Sequence, residues 1–192
     1  MIPALILIFV AVVYRVVFGI YGVSHAWMPN FSPVAAIALC GGLLFPKRLS
    51  LIVPLAILFV SDVILNVHFG VALVTWEMAI RYFVLFGIAC LGLRLATSKN
   101  VLWFLGGSIV ASLAFYLVTN TVSWFTAPEY AKTFAGWIQA LTTGVPGYPP
   151  TWLFFRNSLL SDLIFTIVFL ATCWSSERRQ GREHAAELHH AA

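Results

Sequence analysis

The residues best suited to bind a ligand or to carry out chemistry are charged side chains inside long apolar segments. The sequence has 192 residues, of which 61% are hydrophobic and only 9% are charged, so such positions are rare. Six such residues are Arg15, Asp62, Glu77, Arg81, Arg156 and Asp162. A charge inside a bilayer is energetically costly, and such residues usually face a bundle interior or a water-filled cavity. The pattern therefore predicts a polar pocket inside a membrane protein.

The types of these residues are compatible with more than one kind of chemistry. Asp62 or Glu77 could act as a general base while Arg81 or Arg156 holds an anion, and such a site would make the chain an intramembrane enzyme. However, the sequence contains no GxxxxGK phosphate-binding loop, no HExxH and no GxSxG nucleophile motif. Its three cysteines are not spaced as metal ligands. We therefore expect a protein that is not an enzyme, with no catalytic residue, no metal and no cofactor.

Apolar segments of membrane-spanning length must position these side chains. A spanning helix needs about 20 mainly apolar residues, and the chain has six candidate stretches. They are residues 2–21, 34–45, 49–67, 73–95, 101–123 and 156–174. The second is short, rich in alanine and ends in Gly41-Gly42, which favours a tightly packed inner helix. We expect an all-α integral membrane protein, with a six-helix transmembrane domain over residues 1–174 and a polar cytoplasmic tail over residues 175–192.

Basic residues predict the orientation of the six spans. If all six segments cross the membrane, seven of the eleven lysines and arginines lie on one side of it. They are Lys47, Arg48, Arg94, Lys99, Arg178, Arg179 and Arg182. That side is predicted to be cytoplasmic, because cytoplasmic connections are enriched in lysine and arginine. Both termini are therefore expected inside (N-in/C-in), and the connection over residues 124–155 is expected outside.

The connection over residues 124–155 is long enough to carry structure of its own. Ala127-Pro128-Glu129 would begin a short amphipathic outer helix between transmembrane helices 5 and 6. Its apolar face would carry, at helical spacing, Tyr130, Phe134, Trp137 and Leu141. The segment GVPGYPP over residues 144–150 then ends any helix. The connection could cover a pocket as a lid, or its helix could rest among lipid headgroups with its aromatic residues as anchors.

Helix geometry places the polar residues of these segments in one half of the membrane. At about 1.5 Å per residue, Asp62 lies roughly 20 Å from the cytoplasmic start of its span, in the outer half. The predicted substrate-binding residues are Asn30, Asp62, Glu77, Arg81, Asn120, Trp124, Tyr130, Trp137, Arg156 and Asp162. The polar members would orient a ligand, and the aromatic members, together with Tyr148, would close over it.

The same charges could instead hold helices together. Three ion pairs could form within the bundle. They are Arg15 with Asp62, Arg156 with Asp162, and Glu77 with Arg81. In that case the chain would be a structural or assembly subunit in the membrane. Helix packing alone, however, does not explain why the charges all favour the same half of the membrane.

Short motifs connect the chain to a known group of membrane proteins. They are MPNFSPVAAIALCGG over residues 28–42, Pro54 with Ser61-Asp62, FYLVTN over residues 115–120, and Trp124, Tyr130 and Gly136. Over about residues 10–172, the chain resembles a family of small bacterial membrane proteins. That family is similar to the substrate-binding S components of energy-coupling-factor (ECF) vitamin transporters, including solitary cobalamin-uptake types.

The resemblance implies a transport protein that binds a small vitamin or cofactor precursor from the outer face for uptake. It implies a multi-pass protein of the bacterial inner (cytoplasmic) membrane. The implied partners are the lipid bilayer, a small-molecule ligand such as cobalamin or another vitamin, and an ECF energy-coupling module. No nucleic acid is expected to bind, because the net charge of +4 comes from the inner connections and the tail.

Overall fold

Helices account for all the regular structure in the part of the chain that can be described. The computed structural model describes residues 2–21, 30–98 and 100–190. These ranges contain seven helices and no strand, namely α1 (Ile2–Tyr21), α2 (Val34–Leu44), α3 (Ile52–His68), α4 (Trp76–Ala96), α5 (Val101–Thr126), α6 (Phe134–Leu141) and α7 (Thr151–His190). All six predicted apolar segments are helical, and the prediction of an all-α protein is confirmed. Lys99 of the basic cluster, residues 28–29 of the first motif and residues 191–192 of the tail lie outside the described ranges.

Helix α7 extends beyond its apolar segment at both ends. It begins at Thr151, five residues earlier than predicted and directly after Pro149-Pro150. Proline is tolerated before or at a helix start but not in its interior, so the helix begins as soon as the prolines have passed. The helix then runs to His190 without a break near residue 174. The predicted polar tail is therefore helical as far as His190.

Three of the helices are long and apolar enough to cross a membrane. They are Trp76–Ala96, Val101–Thr126 and the part of α7 over Thr151–Ser176. The apolar stretches Ile6–Tyr21, Val34–Leu44 and Ile52–His68 are shorter. Large apolar side chains face outward from the long helices, for example Phe83, which is 78% exposed. Outward-facing apolar side chains on helices of this length indicate a membrane protein.

A ring of five helices surrounds α2. Helix α1 packs against α3, α3 against α4, α4 against α5, α5 against α7, and α7 against α1. Inside this ring, α2 contacts α3, α4, α5 and α7. Each residue from Ala35 to Cys40 is at most 2% exposed. This burial confirms that the second apolar segment forms a tightly packed inner helix.

Glycines allow α2 and α4 to approach each other closely. A Cβ atom placed on Gly92 of α4 would lie 1.8 Å from the carbonyl oxygen of Leu39 in α2. One placed on Gly42 of α2 would lie 3.0 Å from Cα of Leu93 in α4. The two backbones are therefore in direct contact, as small residues permit between membrane helices. This contact determines the position of α2 inside the ring.

The predicted short helix between α5 and α7 exists, but it begins later than predicted. Helix α6 comprises Phe134–Leu141, and residues 127–129 precede it by several positions. Its buried side carries the small residues Gly136 and Ala140, whereas Phe134 is 75% exposed. The small residues thus form the side of α6 that packs against the rest of the protein, and Phe134 of the predicted apolar stripe faces outward.

The late start of α6 follows from the way in which α5 ends. Lys132 Nζ donates to the carbonyl oxygens of Trp124 at 2.5 Å and Ala127 at 2.6 Å. A cation at a helix C-terminus satisfies free carbonyls and interacts favourably with the helix dipole. Lys132 therefore caps the end of α5, and the chain before position 133 does not begin a new helix. Helix α6 starts only after Thr133, whose hydroxyl oxygen accepts the Gly136 N–H at 3.2 Å.

Candidate ligand-binding site

The short central helix leaves space at one end of the bundle. Helix α2 has 11 residues and is about 16 Å long, whereas α5 has 26 residues and is about 39 Å long. The N-terminus of α2 is held beside Asp162, well inside α7, which begins at Thr151. Two adjoining cavities, of about 540 and 680 Å³, lie at this end of the bundle. Val34, in the first turn of α2, lines both of them.

The two cavities form one cleft, because several residues line both. The shared residues are Asn30, Ser32, Val34, Phe115, Thr119, Tyr148, Pro149 and Phe154. The first cavity extends between α5 and α7 as far as Asp162. The second extends toward Arg15 of α1 and Arg81 of α4. The cleft therefore joins a region that contains a carboxylate, Asp162, to a region that contains two arginines.

One face of α5 supplies much of the polar wall of the first cavity. The residues on this face, at helical spacing, are Ser112, Tyr116, Thr119 and Ser123. Thr119 Oγ1 donates to the Phe115 carbonyl at 2.8 Å, and Asn120 Nδ2 donates to the Tyr116 carbonyl at 2.9 Å. The predicted site did not include Ser112 or Tyr116. Hydroxyl groups recurring at helical spacing in an apolar span were the signal that could have identified them.

Asp162 connects the first cavity to the start of α2. Its carboxylate accepts the Ala36 N–H at 2.9 Å and the Ser112 hydroxyl at 2.7 Å, and the residue is 2% exposed. The residue at the N-cap of α2 is Pro33, which provides no capping side chain. Helix α7 therefore provides the acceptor that the first turn of α2 requires. The negative charge also lies at the positive end of the α2 dipole.

Removing this acceptor is expected to destabilise the protein. We expect Asp162→Ala to lower the free energy of unfolding by about 1–3 kcal/mol, because the buried Ala36 N–H loses its partner. Asp162→Asn should retain most of the stability, since its amide oxygen can still accept that hydrogen bond. Thermal unfolding of the two purified variants in detergent measures the difference. Equal losses for Asn and Ala would contradict the capping role.

A cluster of charges lies beside the second cavity. Arg15 donates to the side chains of Asp62 and Ser61, and Tyr82 Oη donates to Asp62 Oδ2 at 2.9 Å. Arg81 Nη1 lies 3.6 Å from the same Oδ2 atom. One carboxylate thus joins α1, α3 and α4, and the predicted ion pair between Arg15 and Asp62 is present. Arg15 and Arg81 line the second cavity, whereas Asp62 lies behind them.

Asn30 attaches the segment before α2 to α7. Its φ angle is 59°, in the left-handed region that asparagine adopts more readily than most residues. Asn30 Nδ2 donates to Ser158 Oγ at 2.8 Å, and Ser158 Oγ donates to the Asn30 carbonyl at 3.1 Å. Both residues line the first cavity, and Asn30 also lines the second. This reciprocal pair therefore forms part of the wall of the cleft.

Two of the aromatic residues predicted to cover the pocket border the cleft. Tyr130 is 9% exposed and lines the first cavity. Tyr148 is 74% exposed and lines both, in a loop where Gly144 and Gly147 have positive φ angles of 71° and 91°. That loop is held to α6, because Gln139 Nε2 donates to the Gly144 carbonyl at 3.0 Å. One buried and one exposed tyrosine are thus available to contact a ligand.

Half of the ten predicted site residues line the cleft. These five are Asn30, Arg81, Asn120, Tyr130 and Asp162. Asp62 contacts the cleft only through the two arginines that it binds. Four residues line neither cavity, namely Glu77, Trp124, Trp137 and Arg156.

Trp124 and Trp137 attach the connection after α5 to that helix. Trp124 Nε1 donates to the Ala131 carbonyl at 2.9 Å, and Trp137 Nε1 donates to Thr121 Oγ1 at 3.0 Å. The two indole groups thereby hold residues 127–141 against α5. Their contacts are those of anchoring residues, and neither residue lines the cleft.

Arg156 and Glu77 also lie away from the cleft. Arg156 is exposed, and its guanidinium donates to Asn157 Oδ1 at 3.1 and 3.2 Å while lying 5.7 Å from the centre of the Trp152 ring. It does not pair with Asp162, whose partners are Ala36 and Ser112. Glu77 is half-buried in the first turn of α4.

The fold and the cleft define an all-helical protein with three helices able to cross a membrane and an internal cavity at one end of its bundle. The chain belongs to DUF6580, a family of unknown function whose model matches residues 1–184. No curated protein and no solved structure matches the chain. The family match includes every residue that lines the cleft.

Proposed function

We propose that the protein is a membrane transport protein, similar to an ECF S component, that binds a small vitamin or cofactor precursor in the cleft for uptake. The observation that supports this proposal is the pair of adjoining cavities of about 540 and 680 Å³. Binding sites for small molecules typically have about 300–1,000 Å³ and combine apolar walls with a few convergent polar groups. Each of the two cavities lies in this range, and the walls of the cleft combine apolar residues with a few polar groups.

In this proposal the chain crosses the bacterial inner membrane six times, with both termini in the cytoplasm. Helix α1 has 20 residues, or about 30 Å, and carries outward-facing apolar residues such as Phe9, as α3 does with Val67. The cleft lies at the C-terminal ends of α1, α3 and α5. Lys47, Arg48 and Arg94 lie at the opposite ends of the helices. By the positive-inside rule, the cleft then opens to the outside.

The source of energy for uptake would lie outside this chain. Its sequence contains no nucleotide-binding motif, so inward transport would depend on an ECF energy-coupling module or on a downhill gradient. The outer opening of the cleft would admit the ligand. Release on the inside would require the helices around α2 to rearrange.

Ligand binding can be tested by thermal unfolding of the purified protein in detergent with water-soluble vitamins, cobalamin included, and their precursors. A ligand at 100 times its dissociation constant should stabilise the folded protein by about 2.7 kcal/mol. We expect Thr119→Phe to abolish this shift, because Thr119 lines both cavities. Among the described residues its hydroxyl bonds only to carbonyls of its own helix, so the substitution removes no hydrogen bond between the described helices.

Thr126→Phe is the matched control, since Thr126 lies on the same helix and outside both cavities. Its hydroxyl likewise bonds only to carbonyls of α5. The control should respond to ligand as the unmodified protein does. The proposal fails if no compound raises the melting temperature and no small molecule co-purifies with the protein.

A structural or assembly subunit is the second candidate function. The observation that favours it is that Arg15, Asp62 and Asp162 already bond to protein groups. Under this alternative, Thr119→Phe would leave function in the cell unchanged, and the protein would purify as a complex of fixed stoichiometry with another membrane protein. Loss of uptake in a Thr119→Phe variant that folds normally would support transport instead.

A further inference from the structure

The wall of the second cavity carries an excess of positive charge. Arg15 and Arg81 are the charged side chains that line it. In the described part of the chain, Asp62 is the only carboxylate that forms an ion pair with either of them. The carboxylates of Asp162 and Glu129 line the first cavity instead. Two cations therefore share one anion, and an unbalanced charge in a medium of low dielectric constant strongly favours a counter-ion.

Arg81 is the cation whose side chain donates no hydrogen bond within the part of the chain that the structure describes. Its side chain is 37% exposed, and its nearest contact with Asp62 is 3.6 Å, which is too long for a hydrogen bond. Glu77, one turn earlier on α4, forms no ion pair with it, so this predicted pair is absent. A guanidinium group has five N–H donors in a planar arrangement that matches carboxylate and phosphate. Arg15, in contrast, already donates to Asp62 and Ser61.

A second polar group is unpaired in the same cleft. Ser32 Oγ is buried and has no hydrogen-bond partner among the residues that the structure describes. Ser32 lines both cavities. Buried hydroxyl groups are usually hydrogen-bonded. A ligand that extends from one cavity into the other would provide the missing partner.

We propose that the ligand carries an anionic group, a carboxylate or a phosphate, which Arg81 binds in the second cavity. Arg15 adds positive charge behind it, and the uncharged body of the ligand extends past Ser32 into the first cavity. This inference rests on the proposed function and narrows its ligand class to acidic vitamins and to phosphorylated or carboxylated cofactor precursors.

The test uses inorganic phosphate and benzoate as probes, with the full chain purified in an uncharged detergent. Each probe should raise the melting temperature by about 2–4 °C relative to sodium chloride at equal ionic strength. Arg81→Gln should weaken the apparent affinity by at least about tenfold, because charge-assisted hydrogen bonds are lost. Arg81→Lys should retain part of the phosphate response, since lysine binds phosphate as a point charge. Arg94→Gln, at the other end of the same helix, is the matched control and should respond normally.

Two further measurements distinguish a ligand in the cleft from a lipid headgroup. Thr119→Phe should remove the response to phosphate, because its ring would occupy the shared part of the cleft. The proteins are also compared in phosphatidylcholine vesicles with and without phosphatidylglycerol. Stabilisation by phosphatidylglycerol that depends on Arg81 but not on Thr119 would place the anion on a lipid and overturn the proposal. An unchanged phosphate response in Arg81→Gln would also overturn it.

The failure of this inference can be distinguished from failure of the proposed function. If an uncharged vitamin stabilises the protein and Thr119→Phe abolishes that effect, the cleft binds ligands. If the anionic probes then have no effect on the unmodified protein, the anion site is refuted while the proposed function remains. The melting temperature of Arg81→Gln without probe shows whether that variant is folded, and Arg81→Lys provides a second variant if it is not.

Discussion

A single methyl group added at Gly92 is expected to separate α2 from α4 and to destabilise the protein by about 3 kcal/mol or more. The Cβ atom of Gly92→Ala would lie 1.8 Å from the Leu39 carbonyl oxygen and 2.7 Å from the Leu39 carbonyl carbon. Both atoms belong to the backbone of Leu39, which is fully buried, so no side-chain rotation can relieve the overlap. For a protein of this size, the melting temperature should fall by about 6–12 °C or more.

A graded series of glycine substitutions provides the control. Gly87→Ala, on the same helix, should change the melting temperature by no more than about 2 °C, because no described atom beyond the neighbouring backbone of α4 lies within 4 Å of its added Cβ. Gly42→Ala should have an intermediate effect, since its Cβ would lie 3.0 Å from Cα of Leu93. If Gly92→Ala and Gly87→Ala unfold at the same temperature, the close contact between the two backbones is refuted.

The positions of the helices along the chain could be predicted because each depends only on local composition. A run of apolar residues of sufficient length forms a helix wherever it lies in a membrane. The position of a charged residue along its helix could also be predicted, since each residue adds about 1.5 Å. The contact between Arg15 and Asp62 agrees with that counting.

The direction in which each side chain points could not be predicted in the same way. In a soluble protein, the polar face of a helix identifies the side that faces the solvent. In this chain, both the packed side and the outer side of a helix are apolar, so periodicity does not show how the helix is rotated. Arg156 and Asp162 occur on the same helix, yet Arg156 is exposed and Asp162 is buried at the end of α2.

The partner of Asp162 could not be predicted either, because it belongs to the backbone. Side-chain charges suggested Arg156 as the partner, whereas the carboxylate accepts the Ala36 N–H. A free N–H occurs at the start of every helix and leaves no mark in the sequence. The absence of a capping side chain at Pro33 was the indirect signal. It shows that α2 needs an acceptor from elsewhere, but not which residue provides it.

Replacing Asp62 is expected to be about as damaging as enlarging Gly92, for an electrostatic reason. We expect Asp62→Ala to lower the free energy of unfolding by about 3–5 kcal/mol, because it leaves Arg15 buried without its counter-charge. The side chains of Arg15 and Asp62 are only 10% and 5% exposed, so solvent compensates poorly for the lost partner. Thermal or denaturant unfolding in detergent measures the loss. Glu77→Gln is the control and should change stability by no more than about 0.5 kcal/mol, since Glu77 has no ion-pair partner in the described part of the chain.

The double variant Arg15→Met with Asp62→Leu separates the structural role of the ion pair from its role in binding. Replacing both charges with apolar side chains of similar volume should recover most of the stability, because breaking a buried pair is more damaging than removing it entirely. The recovered protein would lack Arg15, one of the two cations that line the second cavity, but would keep Arg81. We therefore expect it to fold and to bind the anionic probes more weakly than the unmodified protein does, but more tightly than Arg81→Gln. A double variant as unstable as Asp62→Ala would show that the hydrogen bond from Tyr82, and not the charge of Arg15, makes Asp62 necessary.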